Sequence, residues 1–566
     1  MVSSDPMRAA VVALVLAIPG IAGAQVWQDR TADCIGTTAE WTNKAEVADV
    51  DGDGHVDILL ANGGGYNTAG NAEAPRIWRN LGNWTGAAPH CEEITSAVVG
   101  AFTGRSRFIK LAKAPAPMIL TGGGYQSQLK LFVRDGATWS DASAQLPQQD
   151  TSIGDAEFGD VDDDGDLDIV LAEWGTGNPQ TNVGGRTRLY LNDGQGTFTD
   201  ATTTNMPDVL ARWSWDIELA DVDGDFDLDV LVAVKSGTTS LLFRNDGSGH
   251  FTNDPTALPH FSNNYELEPM DIDGDGDLDL VTINDGPNVT EHIFVNNGAG
   301  MYVDDTSSWL TGTANPADVD DNVAVWLDAD DDGDPDLVIG ALGNDPDRLL
   351  RNDGPGSSFS LVANATPNDT RGTLGLAIGD LDEDGRIDLV QGQGEIQTAL
   401  ADKVQLATGV AVDTQPPAIW PERMPTTAVV HAMVHDHAGP AHVEGFTKVV
   451  VKVGATEVPM AWYGPMLWRA TLPLELGIPA AYEVCATDAR GNTACVSSVP
   501  SGDDAGVGGD GGPSLECDHG ECDDGGCCGS TRDARGSIVL ALAVLGLSAR
   551  SRRRPRRSSS AAPDRP

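Results

Sequence analysis

The chain has 566 residues, with 85 Asp plus Glu against 35 Lys plus Arg and a net charge of -50. That length exceeds what one hydrophobic core can organise, and that charge repels phosphate backbones, so a single compact domain and a nucleic-acid partner are both excluded. A hydrophobic fraction of 40% excludes a disordered acidic tail, and 66 Gly with 32 Pro point to many turns and short strands, an all-β class.

At the start, Arg8 precedes an apolar run over 9–18, and Ala22-Gly23-Ala24 supplies small residues at signal-peptidase spacing. Residues 1–24 read as a signal peptide, with translation from either Met1 or Met7, and the mature chain begins at Gln25. Export suits the eight cysteines, because disulfides persist outside the reducing cytosol. Cys34 with Cys91, and Cys485 with Cys495, are plausible pairs.

From there one motif recurs: DVDGDGHVD from Asp49, DVDDDGDLD from Asp160, DVDGDFDLD from Asp221, DIDGDGDLD from Asp271, DADDDGDPD from Asp328 and DLDEDGRID from Asp380. The starts are 111, 61, 50, 57 and 52 residues apart, so the first interval spans two repeats. Hairpin turns near Asn80, Arg134, Asn192, Asn245, Asn296 and Asn352 follow at steps of 54, 58, 53, 51 and 56, and the one at Arg134-Asp135-Gly136 falls in the long interval. A repeat is therefore expected there, with a carboxylate-free loop around 100–106. Each acidic loop precedes a strand-length apolar run such as Ile58-Leu59-Leu60. Seven repeats of about 55 residues over 25–412 predict a seven-bladed β-propeller, since a lone blade cannot bury both its faces. Val26-Trp27-Gln28-Asp29 is expected to complete the last blade.

Each loop sets acidic groups at positions 1, 3, 5 and 9 of a tight turn, with a backbone carbonyl expected at position 7. Hard oxygen ligands in a flexible cage suit Ca²⁺ better than the smaller Mg²⁺ octahedron, and carboxylates gathered without a cation would repel and open the turn. The candidate metal sites are Asp49, Asp51, Asp53, His55 and Asp57; Asp160, Asp162, Asp164, Asp166 and Asp168; Asp221, Asp223, Asp225, Asp227 and Asp229; Asp271, Asp273, Asp275, Asp277 and Asp279; Asp328, Asp330, Asp332, Asp334 and Asp336; and Asp380, Asp382, Asp384, Arg386 and Asp388. Position 6 is Gly54, Gly165, Gly276, Gly333 or Gly385, but Phe226 in the fourth repeat. A side chain in a left-handed conformation costs on the order of 1 kcal/mol, so the Asp221 loop is expected to bind most weakly or to bend differently. Calcium is expected to pin the blades and take no part in chemistry.

These loops resemble the FG-GAP and VCBS repeat family, to which the integrin α-subunit propellers belong, over most of residues 46–404. The resemblance implies a seven-bladed propeller with Ca²⁺ in loops between adjacent inner strands. The second repeat departs from the pattern and is assigned no metal.

Asp413-Thr414-Gln415-Pro416-Pro417 marks a boundary, and the strand-like runs over 413–499 suit an Ig-like or fibronectin-like β-sandwich, resembling those appended to bacterial surface proteins. It reads as a spacer. His431, His435 and His437 share strand parity, but a turn at 436–439 breaks it, so they are not assigned a metal. No G-x-S-x-G elbow, H-E-x-x-H helix or phosphate loop is present. If the acidic loops join the first and second strands, the next turns lie on the opposite face. There Tyr66, Asn67, Tyr125, Trp174, Asn178 and Arg186 form an aromatic and amide mixture suited to a glycan or protein surface.

Residues 500–535 form a Gly/Asp/Cys-rich linker with Cys517, Cys522, Cys527 and Cys528. Residues 536–566 carry a short apolar segment and an Arg cluster, below the length of a spanning helix. Together they resemble the Cys-containing C-terminal sorting tails of myxobacterial surface proteins, which implies cleavage near the cysteines and anchoring at the outer membrane through the tail or a lipid on Cys527 or Cys528. The expected protein is secreted to the cell surface and non-catalytic, and binds an extracellular protein or polysaccharide in adhesion. A polysaccharide-acting propeller enzyme, requiring a carboxylate pair at the channel mouth, and a passive scaffold are the alternatives.

Overall fold

A computed structural model describes residues 25–498, except 65, 69–71, 103, 113–116, 237–238, 285–289, 318, 344, 368–369, 395–399, 424 and 440–444. Residues 1–24, expected as a signal peptide, and 500–566, expected as linker and sorting tail, lie outside the described residues. The protein is all-β. Nine four-stranded antiparallel sheets account for most of it, seven in succession and then two that share a separate core.

Sheet 1 comprises Thr42–Ala48, Asp57–Asn62, Arg76–Asn80 and Cys91–Glu93, in that spatial order. Sheets 2 to 6 repeat the plan, their first strands being Phe108–Ala112, Ser152–Gly159, Ser214–Ala220, Asn264–Met270 and Asp321–Leu327. Sheet 7 takes Thr373–Gly379, Asp388–Gln393 and Lys403–Ala407 from the end of the repeats and its outer strand, Trp27–Asp29, from the chain start. Each first strand packs against the next, and that of sheet 7 returns to that of sheet 1, so the succession closes on itself in a propeller-like arrangement.

The second strands are apolar on both faces because neighbouring sheets cover both: Asp57–Asn62, Asp229–Val234 and Asp279–Asn284 are buried throughout. The hairpin asparagines do more than turn the chain. The Asn245 amide donates to Val161 O of sheet 3 at 2.8 Å, Asn296 to Val222 O of sheet 4 at 2.8 Å and Asn352 to Ile272 O of sheet 5 at 3.2 Å. Asn80 donates to Leu381 O at 2.7 Å, carrying the same stitch from sheet 1 back to sheet 7. Cys34–Cys91 and Cys485–Cys495 are disulfide-bonded.

One expectation needs correction. The turn between the first two strands of sheet 2 follows Ala112 and precedes Met118, not 100–106. The apolar strand Phe108–Ala112 lies immediately before it, whereas residues 95–98 form a short helix.

Beyond Ala407, Ala418–Pro421, Val429–His435, Leu467–Thr471 and Ala461–Gly464 form one sheet, and Thr456–Pro459, Phe446–Val453, Glu483–Asp488 and Thr493–Ser497 the other. This two-sheet unit is no free spacer. It packs on the acidic loops: Gly439 and Trp326 exchange backbone hydrogen bonds at 3.0 and 3.1 Å, and the Tyr463 hydroxyl donates to Phe226 O at 2.7 Å.

Candidate metal centre

All six acidic loops join the first strand of a sheet to the second. Within each, the position-6 N–H donates to Oδ2 of the position-1 aspartate, at 3.2 Å for Gly54 on Asp49, 2.9 Å for Gly165 on Asp160, Phe226 on Asp221 and Gly276 on Asp271, 2.8 Å for Gly333 on Asp328 and 3.0 Å for Gly385 on Asp380. Position 7 donates its N–H to the position-5 carboxylate, so His55, Asp166, Asp227, Asp277, Asp334 and Arg386 contribute backbone to the turn.

Two residues per loop are left-handed, not one. Position 6 has φ between 92° and 108° at Gly165, Gly276, Gly333, Gly385 and Gly54 and 68° at Phe226, and position 4 is also positive, including Asp163, Asp331 and Glu383 at 58°, 63° and 59°. The Asp221 loop therefore does not bend differently. Phe226 adopts the turn's conformation and carries the strain of a side chain there.

The carboxylates divide into two jobs. Position 9 ties the loop to the sheet: Asp57, Asp168, Asp229, Asp279, Asp336 and Asp388 are buried, with Oδ2 accepting the position-2 N–H and Oδ1 accepting an N–H at the end of the third strand, as at Asn80, Asn192, Asn245, Asn296, Asn352 and Ala407. Positions 1, 3 and 5 converge. Asp49, Asp51 and Asp53 bring oxygens within 4.8 Å of one another, as do Asp221, Asp223 and Asp225, and Asp328, Asp330 and Asp332; in the Asp160 and Asp271 loops the group is positions 1, 3 and 9.

The position-3 carboxylates show what this convergence lacks. Oδ1 of Asp162, Asp223, Asp330 and Asp382 is buried without a hydrogen-bond partner, the same atom in four loops. A buried, unsatisfied carboxylate oxygen is costly, and a hard cation would satisfy it, so the donor set fits a divalent ion of the calcium type. Electrostatics agree. Burial, then neighbouring carboxylates, pushes Asp221 and Asp271 up to about 7, against opposing backbone hydrogen bonds. Burial pushes Asp168, Asp229 and Asp279 up to about 8.

Arginines dilute some loops. Arg79 pairs with Asp51 and Asp53 at 2.7 and 2.9 Å, Arg244 with Asp223 at 2.6 Å, and Arg351 approaches Asp330 at 3.6 Å. From the two-sheet unit, Arg469 pairs with Asp160 and Asp163, and Arg490 with Asp380. Among the described residues, no Lys or Arg pairs with the Asp271 loop.

At the opposite end of the first strands the expected recognition residues behave differently. Trp174 is wholly buried and Tyr66 is 9% exposed. Both belong to an aromatic cluster with Trp213, Trp215 and Tyr265, in which Trp174 stacks on Trp215 at 5.8 Å and the Arg107 guanidinium lies 4.6 Å from the Trp215 ring centre. Their size and lack of strong polarity favour packing over display. Asn178 and Arg186 are partly buried; the Arg186 Nε–H donates to Pro207 O at 2.7 Å. Asn67 and Tyr125 are partly buried. His431 pairs with Glu422 at 3.0 Å, while His435 stacks on Trp420 and His437 lies past the strand end at φ 53°.

Comparison with known proteins agrees with the repeat. The FG-GAP-like repeat model matches residues 176–232, 221–282 and 328–390. No curated protein matches the sequence. Similar solved structures include an Agrocybe aegerita lectin described as recognising non-reducing terminal N-acetylglucosamine, at 18% identity and TM-score 0.38 over 59% of this chain and 82% of the lectin. They also include a Bacillus licheniformis rhamnogalacturonan lyase, at 14% identity and TM-score 0.36 over 69% of this chain and 76% of the lyase.

Proposed function

We propose that the chain is an exported, seven-bladed propeller with an Ig-like sandwich, held in shape by Ca²⁺ in six FG-GAP/VCBS-like loops and presented at the cell surface by its C-terminal sorting tail. In this reading it is a non-catalytic adhesion-type protein whose ligand is an extracellular protein or polysaccharide. The observation that supports it most is the orphaned position-3 oxygen, repeated in four loops.

The two-sheet unit occupies much of the acidic-loop side, which directs ligand binding to the other loops. After the second strand of the third sheet, Gly185–Arg186 pairs with Leu210–Ala211, beside an exposed turn bearing Val183 at 75% and next to Leu210 at 53% exposure. Exposed apolar side chains flanked by Asn178 and Gln180 suit the face of a sugar or a peptide.

A glycan array probed with and without calcium, beside hydrolase and lyase assays on the same sample, tests the reading. Calcium-dependent binding without turnover is expected; turnover would transfer the protein to the polysaccharide-acting enzymes, and silence in both would leave a scaffold.

A further inference from the structure

The first strands carry a second charged pattern, set three and five residues before four of the six loops: Lys44 and Glu46, Asp155 and Glu157, Asp216 and Glu218, Glu266 and Glu268. Equal register on strands that pack in cyclic order brings these side chains to the middle of the ring. Lys44 of sheet 1 shows this directly, because its ammonium pairs with Asp155 of sheet 3 at 3.0 Å and Asp216 of sheet 4 at 2.5 Å, sheets that are not its sequence neighbours. Lys110 of sheet 2 pairs with Glu157 of sheet 3. The middle is not solidly packed: the side chains of Lys44 and Lys110 keep 15% and 23% of their surface accessible although they lie on innermost strands.

The charges at this level do not balance. Glu46, Glu157, Glu218 and Glu268, in one register on sheets 1, 3, 4 and 5, face a single ammonium, Lys110, so four carboxylates against one cation leave three negative charges uncompensated; of the four, Glu46 already accepts the Leu111 N–H at 2.9 Å. Glu268 is 4% exposed and, among the described residues, accepts no hydrogen bond and has no ion-pair partner; the charges that act on it are those of Glu266, Lys44, Lys110 and Glu157. Glu218 is likewise without a hydrogen bond, beside Glu157, Glu268 and Asp216. Sheets 6 and 7 add no charge here, since 323–327 and 373–379 are uncharged. A buried carboxylate with no partner is far costlier than one that ligates an ion.

We propose that Glu157, Glu218 and Glu268 form a further binding site for a divalent, oxygen-ligated cation on the axis of the ring, separate from the six loops. Three carboxylates from three sheets supply an all-oxygen set of the kind that calcium accepts, and two positive charges offset most of the excess left after Lys110. Such an ion ties sheets 3, 4 and 5 together from the inside, whatever the outer loops bind.

The test uses the full chain, with Ca²⁺ and Tb³⁺ as probes. Crystals soaked in Tb³⁺ should give an anomalous peak between the three carboxylates as well as peaks in the loops, and the Glu157→Gln/Glu218→Gln/Glu268→Gln variant should bind one calcium ion fewer per chain while keeping the loop peaks. Glu268→Gln alone guards against a misfolded triple variant. In chelator it should melt higher than the parent, because an unpaired charge is gone, whereas its gain in Tm on adding calcium should be smaller. Asp273→Asn, in a loop, should also reduce that gain but leave the axial peak. An axis empty of Tb³⁺ in crystals whose loops are filled, or an unchanged calcium count and calcium-induced gain in Glu268→Gln, overturns the proposal and leaves protons as what neutralises the axis.

Discussion

At the scale of single residues, the six loops share a backbone but not a charge balance, and that difference ranks them. The Asp271 loop has glycine at both left-handed positions and, among the described residues, no cationic partner, whereas the Asp221 loop carries Phe226 at φ 68° and Arg244 against Asp223. Strain of roughly 1 kcal/mol at Phe226 and a competing guanidinium both weaken a bound cation. Calcium should therefore fill the Asp271 loop first, and Asp271→Asn should cost more of the calcium-induced rise in Tm than Asp221→Asn; the reverse order, read by calorimetry in a calcium titration, would refute the ranking. Proton uptake gives a second expectation. Asp168, Asp229 and Asp279 titrate near 8 in the ion-free fold because of burial, against a usual value of 3.8. A raised carboxyl pKa stabilises the fold fully below the unfolded value and loses that contribution as pH rises through the folded one. In chelator, Tm should fall as pH climbs from about 4 to about 8; with saturating calcium the fall should vanish, because the ion replaces the protons. A Tm in chelator that rises over this range would show that backbone hydrogen bonds to these carboxylates outweigh their burial.

At the scale of elements, what joins one sheet to the next is the hairpin asparagine and the strand contributed from the chain start. Asn80 donates to both Val56 O and Leu381 O, and its own Oδ1 accepts from Gly82 and Trp84. Asn80→Ala leaves those buried groups unpaired and should cost about 2–4 kcal/mol in urea unfolding. Trp27 is 1% exposed and donates to Ile387 O at 3.1 Å, so Trp27→Ala should cost about 3–5 kcal/mol, and both losses act at the junction of the first and last repeats. Much of this level was legible in the sequence. Loop spacing and hairpin turns marked the repeats, because a turn of fixed geometry demands particular residues at particular positions. The second sheet's turn was misplaced because it has neither carboxylates nor glycines to mark it. The left-handed position 4 went unread because Asp and Glu fill it in three loops, where loop hydrogen bonds, not glycine, enforce the conformation. Tyr66 and Trp174 looked like display residues because sequence gives no sign that loops from different sheets converge on them. The axial carboxylates were visible as D-x-E or E-x-E just before three of the loops, but only ring closure gives that spacing a meaning.

At the scale of the whole molecule, the two-sheet unit and the acidic loops constrain one another. Tyr463 O accepts the Asp160 N–H at 2.8 Å, Trp420 lies so close to Gly276 that a Cβ there would collide with its ring, Thr414 N–H donates to Asp331 at 2.7 Å, and Asp413 N–H donates to Gly385 O at 2.9 Å. With Phe226 held by the Tyr463 hydroxyl, every acidic loop from sheet 3 to sheet 7 touches this unit or its connection. Two of these contacts use carboxylates that a cation also needs: Arg469 holds Oδ2 of Asp160, and Arg490 holds Oδ2 of Asp380, both at position 1. Docking and ion binding therefore compete at sheets 3 and 7 while they cooperate at sheets 4, 5 and 6, where the unit leans on backbone and on the shape of the turn. Releasing a partly buried charge-assisted pair is worth roughly 1.5–3 kcal/mol, which corresponds to about tenfold or more in affinity. Arg469→Ala with Arg490→Ala should accordingly tighten two of the calcium sites by at least that order in a calorimetric titration and leave the Asp271 site unchanged. The same variant should be cut faster by protease in the connection at 408–417, most of all at high calcium, because the remaining contacts no longer include either ion pair. If the two sites keep their affinity while the connection becomes sensitive, the arginines only fasten the unit, and the position-1 carboxylates can hold guanidinium and cation together.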